Sequence, residues 1–388
     1  LKYIPNLSIL VVSGSPMLQS FRLPKGLDYI KIPCLNRGES GEIAVKYLNA
    51  DIESTVQLRS ELILAAAKNY QPDLVLVDKK PYGIKGELTA TIDYLKNSLP
   101  ETKLVLLLRD ILDAPEKTTR EWQKEDYYQA VESLYDRVLV AGMPEIFNLC
   151  VEYQFTDAIT KKVDFCGYLR KETGLKSRRT VRRELNIQPQ EKLVLVTPGG
   201  GEDGFQLIDT YLTGIAKVDK KEKIRSLIFC GPEMPFKQQK RIAKKAALDP
   251  QVEVLEFTDD LMSYIEVSDL VVCMSGYNTI CEVLSAGKLA IAIPRIKPAQ
   301  EQQIRAKSMA QRGLLDTIHH KNLTPQLLVD TLLEKLKNTN AHPIVSRLDL
   351  NGLPRIAKSI SQLLFDPFST TSIAPLTSTA SELCLSKN

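Results

Sequence analysis

The residues best suited to chemistry lie where short apolar runs end in glycine or hydroxyl side chains. Leu193-Val-Leu-Val-Thr-Pro-Gly-Gly-Gly-Glu-Asp-Gly204 carries such a run straight into Gly199, Gly200, Gly201 and Gly204. Glycines permit positive φ and close approach of backbone to a ligand. A helix beginning there offers unpaired N–H groups to phosphate. The pattern is neither G-x-G-x-x-G nor a P-loop, so a plain tight turn is the alternative. Val271-Val-Cys-Met-Ser-Gly-Tyr-Asn-Thr-Ile-Cys-Glu282 repeats the design. The Ser275 hydroxyl and the amides from Gly276 through Asn278 to Thr279 could hold a second phosphate. Glu282 is expected on the first turn of the following helix, where a carboxylate either favours the helix dipole or accepts hydrogen bonds from a ribose diol. Ile293-Pro-Arg-Ile-Lys-Pro-Ala-Gln-Glu-Gln-Gln-Ile-Arg-Ala306 is the third candidate. Glu301 and Gln302 would sit at its helix start and could bond sugar hydroxyls, while Arg295 or Lys297 could face phosphate. Its alternative is a solvated loop.

The elements that must position these turns are legible as continuous apolar runs. They are Leu7–Ser13, Leu74–Asp78, Leu104–Leu108, Arg137–Ala141, Leu193–Thr197, Ser226–Cys230, Val252–Phe257, Leu270–Met274 and Leu289–Pro294. Continuous rather than alternating runs predict strands buried on both faces. Helical patterns separate them, including Ile52–Tyr70, Tyr127–Leu134, Gly204–Val218 and Thr279–Ala286. The alternation predicts an α/β chain of right-handed βαβ units with parallel sheets. Gly167–Lys192 lacks a strand and carries seven Lys and Arg residues between Arg170 and Arg183. It is read as the connection between two domains, with a short helix near Thr180–Leu185 and a solvated basic face. The expected division is 1–165, a linker 166–192, 193–350, a terminal helix 351–365 and a disordered Ser/Thr/Pro-rich tail 366–388.

Length and composition agree. The 388 residues exceed one typical domain, and 44% hydrophobic with 25% charged residues is globular composition. A net charge of +4 does not imply a nucleic acid partner. No apolar run has the length of a membrane span. The seven cysteines are scattered without a C-x-x-C, which argues against a disulfide framework or zinc ribbon and for a reducing cytoplasm. The three histidines, His319, His320 and His342, are read as surface residues.

The segment Phe257–Lys288, with its FTDD, MSGYNT and CEVLSAGK wording, resembles the donor-binding half of the MurG-like glycosyltransferases of family 28. The resemblance covers roughly Leu193 to Leu315. Val77-Asp-Lys-Lys-Pro-Tyr-Gly83 and Leu108-Arg-Asp-Ile-Leu-Asp113 resemble a group of bacterial predicted glycosyltransferases. The resemblance implies a GT-B fold, two Rossmann-like domains facing a central cleft. It implies a hexose-type sugar moved from a UDP-sugar to a hydroxyl acceptor, with inversion. Gly199, Gly200, Gly201, Ser275 and Gly276 would face the donor diphosphate, Thr258 the base, Glu282 the ribose, and Glu301 and Gln302 the sugar. No cofactor beyond the nucleotide sugar is implied, and without a D-x-D no metal-bridged diphosphate is suggested. Asp78 and Asp110, at strand ends of the first domain, are the candidate bases, each with a structural alternative. The family's first strand and its glycine loop are expected to be absent, Leu7–Gly14 being read as the second strand. The acceptor is open among lipid-linked, glycan and small-molecule classes, with peripheral contact at the inner membrane face as an option. A nucleotide-sugar epimerase and a non-catalytic nucleotide-sugar-binding subunit are the competing functions.

Overall fold

The computed structural model describes residues 2–20, 23–37, 42–338 and 348–365. His342, Cys384 and the tail expected from residue 366 lie outside them. In the first half the strands are β1 (Ile9–Ser13), β2 (Leu27–Lys31), β3 (Leu35–Arg37), β4 (Ile43–Val45), β5 (Leu74–Asp78), β6 (Lys103–Arg109), β7 (Arg137–Ala141) and β8 (Val163–Phe165). The helices are α1 (Ile52–Tyr70), α2 (Thr89–Ser98), α3 (Pro115–Lys124), α4 (Tyr127–Leu134), α5 (Leu149–Glu152) and α6 (Asp157–Thr160). After α7 (Arg178–Glu184) the second half alternates strictly: β9 (Lys192–Thr197), α8 (Phe205–Ile215), β10 (Ile224–Phe229), α9 (Phe236–Ala246), β11 (Val252–Leu255), α10 (Leu261–Val267), β12 (Leu270–Cys273), α11 (Tyr277–Ser285), β13 (Ala290–Ala292), α12 (Glu301–Ala310) and β14 (Asp316–Thr317). Then come α13 (Pro325–Lys337) and α14 (Gly352–Phe365).

All strands of the second sheet are parallel, in the order β11-β10-β9-β12-β13-β14. Numbered within the domain this is 3-2-1-4-5-6, the doubly wound order whose switch point falls between β9 and β12. Their side chains explain the choice of parallel pairing. Val194, Leu195, Val196, Leu270, Val271 and Val272 are at most 1% exposed, as strands covered by helices on both faces must be.

The first domain is built around β5-β6-β7-β8, again parallel. β1 pairs only with β2, and β3 with β4, so among the described residues one edge of β5 carries no strand. Leu76 on that edge strand is accordingly 43% exposed. The sequence reading missed β2, β3, β4, β8 and β14, which are short or carry charges such as Asp28 and Lys31. It placed β13 at Leu289–Pro294, where the ladder is confined to Ala290–Ala292.

The linker is not a loose spacer. Tyr168, Val181, Leu185 and Ile187 are buried in the core beneath the second sheet. Near the carboxyl end the chain returns: Ile356, Ile360 and Leu363 of α14 pack against Val105 and Leu139 of the first domain and Cys166 at the start of the linker.

Candidate functional site

Both glycine-bearing turns emerge at the switch point, one after β9 and one after β12. The first is held open by strain that glycine relieves. Gly199 and Gly201 have φ of 82° and 98°. A Cβ on Gly201 would lie 2.3 Å from the Cys230 carbonyl oxygen, and one on Gly204 would lie 2.4 Å from the Pro198 ring. Gly231, after β10, packs so closely that its own Cβ would meet the Gly199 and Gly200 carbonyls at 2.5 Å. That interlock was not legible in the sequence, although a lone glycine after an apolar run is the available signal.

Two positions face open space instead. A Cβ on Gly200 or on Gly276 would meet nothing within 4 Å, and one on Gly199 would meet only Thr279 Oγ1 at 3.2 Å. Gly276 is the N-cap of α11 with extended backbone and no side-chain cap. The first amides of a nine-residue helix therefore border a backbone-lined space beside the glycine turn, the arrangement that suits an anion. Thr279 is 6% exposed, and Asn278 is exposed on the first turn.

Three expectations need correction. The Ser275 side chain is fully buried, and its hydroxyl donates to the Gln302 carbonyl at 3.0 Å. It is therefore committed to holding α12 rather than facing a phosphate. Gln302 is also turned inward, 7% exposed, with Oε1 accepting from the Arg295 amide at 3.4 Å. Glu282 lies on the second turn of α11, not the first, because the helix begins at Tyr277. The dipole of the first turn is out of its reach. Its half-buried carboxylate makes no hydrogen bond among the described residues. Burial raises its pKa above the ordinary carboxylate value, against the opposing charge of Lys171.

Glu301 opens α12. Its Oε1 pairs with Arg295 Nη2 at 2.6 Å, and Arg295 Nη1 reaches Asp203 of the glycine turn at 3.4 Å. Glu301 Oε2 and Arg295 Nε are buried with no partner, an unusual cost for charged groups unless something else supplies the bond. Thr258 stands just beyond β11, where its Oγ1 accepts from the Asp260 amide at 3.1 Å. Its own N–H and C=O are unpaired within the described chain.

The two first-domain carboxylates have different situations. Asp78, at the end of β5, is exposed, and its side chain has no hydrogen-bond or ion-pair partner among the described residues. Asp110 is 1% exposed, and both oxygens bind Arg305, at 2.6 and 2.8 Å. Tyr168 also donates to it at 2.8 Å. A base needs a free oxygen within reach of a substrate proton, so Asp110 takes its structural alternative. Sequence reasoning missed Arg305, Tyr168 and Gly231 altogether. The signal for Arg305 was its place among Gln302, Ala306 and Met309 on the buried face of α12.

His319 caps a turn, its Nδ1 accepting from the Lys321 amide at 3.2 Å. In the basic run, Lys176 pairs with Glu184 at 2.8 Å. No cluster of metal-ligating side chains occurs among the described residues.

Residues 193–360 match the Glycosyltransferase family 28 C-terminal domain. The chain is 25% identical over 175 residues to the UDP-N-acetylglucosamine--N-acetylmuramyl-(pentapeptide) pyrophosphoryl-undecaprenol N-acetylglucosamine transferase of Haemophilus influenzae, covering 45% of this chain and 48% of that protein. The enzyme of the same name from Acetivibrio thermocellus is 29% identical over 202 residues, covering 51% and 52%. The chain thus spans about half the length of the relatives it matches. Among solved structures, Acinetobacter baumannii MurG superposes with TM-score 0.54 at 14% identity, covering 92% of this chain and all of that one. A putative UDP-N-acetylglucosamine 2-epimerase from Listeria monocytogenes gives 0.63 at 12%, covering 95% and 91%. These likenesses establish the two-domain GT-B fold.

Proposed function

We propose, from the premise that residues 193–360 are a glycosyltransferase family 28 carboxy-terminal domain within a GT-B chain, that the protein transfers a hexose-type sugar from a UDP-sugar to a hydroxyl acceptor. The observation that carries this reading is the pairing of an open glycine turn with the uncapped N-terminus of α11 at the switch point of the second sheet. Backbone amides there would neutralise the leaving diphosphate with little reorganisation. The unengaged Thr258 main chain suits a base edge. Glu282 would accept from the ribose diol, and the orphaned Oε2 of Glu301 from a sugar hydroxyl. Direct displacement with inversion needs one base on the acceptor side, and Asp78 is the exposed carboxylate available at a strand end.

The relatives' names specify a pyrophosphoryl-undecaprenol acceptor, so a lipid-linked acceptor met at the cytoplasmic membrane face is the class proposed here. No helix among the described residues is long and apolar enough to cross a membrane.

Calorimetric titration with UDP tests the reading on the intact chain and on Glu282→Gln. Micromolar binding is expected, weakened by about 1–3 kcal/mol when the charged acceptor is lost. Glu282→Gln is also expected to be more stable than wild type at neutral pH. An acid whose folded pKa is raised loses stability as pH rises from its ordinary to its raised value, and the amide escapes that loss. A folded chain that ignores UDP would sink the donor assignment. Isomerised UDP-sugar in the absence of acceptor would replace transfer with epimerisation.

A further inference from the structure

Arg305 is the bulkiest side chain buried to within 1% exposure. All three of its nitrogens are engaged. Nε and Nη2 bind the two oxygens of Asp110, and Nη1 donates to the Ser275 carbonyl at 2.7 Å. Asp110 belongs to the first domain, immediately beyond β6, and Arg305 to α12 of the second. Tyr168 of the linker donates to the same carboxylate. Gly142 leaves the room for it, since a Cβ there would lie 2.7 Å from the Asp110 Cβ. One ion pair therefore joins both domains and the linker to the residue that precedes the α11 N-terminus.

Stability alone does not account for this pair. Desolvating two charges costs several kcal/mol even with good geometry, and well-packed apolar side chains would often serve as well. Apolar side chains could not hold the Ser275 carbonyl. That bond, with the Ser275 hydroxyl on the Gln302 carbonyl, fixes the turn from both sides.

We propose that Arg305 is a positioning residue for the anion cradle: it holds the Ser275–Gly276 turn in its binding geometry through Asp110, so that ligand binding at α11 is coupled to the seating of the first domain. This rests on the cradle accepting the diphosphate of UDP, as proposed above. The coupling is reciprocal: UDP should favour the seated arrangement as much as seating favours UDP.

The test uses the full chain, with UDP titration for the cradle and small-angle scattering for domain seating. Asp110→Leu combined with Arg305→Met replaces the pair by apolar groups and avoids stranding a buried charge. Asp110→Asn is the milder variant. Arg312→Ala is the control, since Arg312 contacts the Glu145 carbonyl across the same interface but touches no part of the cradle. The expected result is fivefold or greater loss of UDP affinity in the double variant while it remains folded, with a scattering profile broader than wild type. Arg312→Ala should bind UDP within twofold of wild type. A folded double variant that binds UDP within twofold of wild type overturns the proposal. If wild type itself does not bind UDP, the donor reading fails. Scattering then decides the seating role, which unchanged profiles in both Asp110 variants would overturn.

Discussion

Gly200 and Gly276 differ from Gly201 in a way that alanine can read. The first two have no positive φ, and a Cβ on either would enter open space. Gly200→Ala and Gly276→Ala should fold with melting temperatures close to wild type, yet bind UDP about tenfold more weakly because each methyl occupies the cradle. Gly201→Ala should behave oppositely. Its left-handed backbone and the clash with the Cys230 carbonyl predict about 2 kcal/mol or more of lost stability, measurable by urea denaturation. Equal UDP affinity in Gly276→Ala would show that the open space is not where the ligand lies. The glycines were legible because their pattern is local. Ser275 was misread for the opposite reason: its partner on α12 is 27 residues away, and nothing in MSGYNT tells a hydroxyl that faces ligand from one that anchors a helix.

At the scale of elements, α12 is clamped to the segment after β6. Asp113 Oδ1 accepts from the Gln300 amide at 2.8 Å, and Lys117, itself paired with Asp113 at 2.8 Å, donates to the Pro298 carbonyl at 3.0 Å. Ile304 of the same helix packs onto the first domain's core. Burial works to raise the Asp113 pKa, but the Gln300 amide, Lys117 and the Ala114 amide outweigh it and hold the carboxyl below its ordinary value. A depressed carboxyl contributes stability above its unfolded pKa of about 4 and loses it as pH falls through the folded value. Asp113→Asn should therefore be less stable than wild type by about 1–3 kcal/mol at pH 7. The difference should close below about pH 4 in thermal melts of the two proteins. A gap independent of pH would remove the charge from the account. α12 itself was legible from its helical spacing, but its role as an interface was not. Its partners lie 181 to 195 residues away, beyond any local pattern.

For the whole molecule, parallel βαβ sheets in both halves followed from the alternation of apolar runs and helical stretches. The order 3-2-1-4-5-6 followed only once pairing was seen, because periodicity fixes strands but not neighbours. The expected terminal helix is present as α14, and the unread fact is where it goes. Ile360→Ala on that helix should destabilise the first domain by about 1–2 kcal/mol. Hydrogen exchange in β6 and β7 should quicken, although the substitution lies more than two hundred residues along the chain from them. Unchanged protection there would mean that α14 only rests on the surface.

The return of α14 makes the second domain, in topological terms, an insertion within the first. The chain leaves the first domain once, through the linker, and re-enters it once, before Gly352. A tensile load applied between β1 and α14 would run through the first domain and bypass the second. A single proteolytic nick in either crossing would leave the two halves tethered by the other. Two covalent crossings therefore join the halves, and complete separation of the two would require both to be cut.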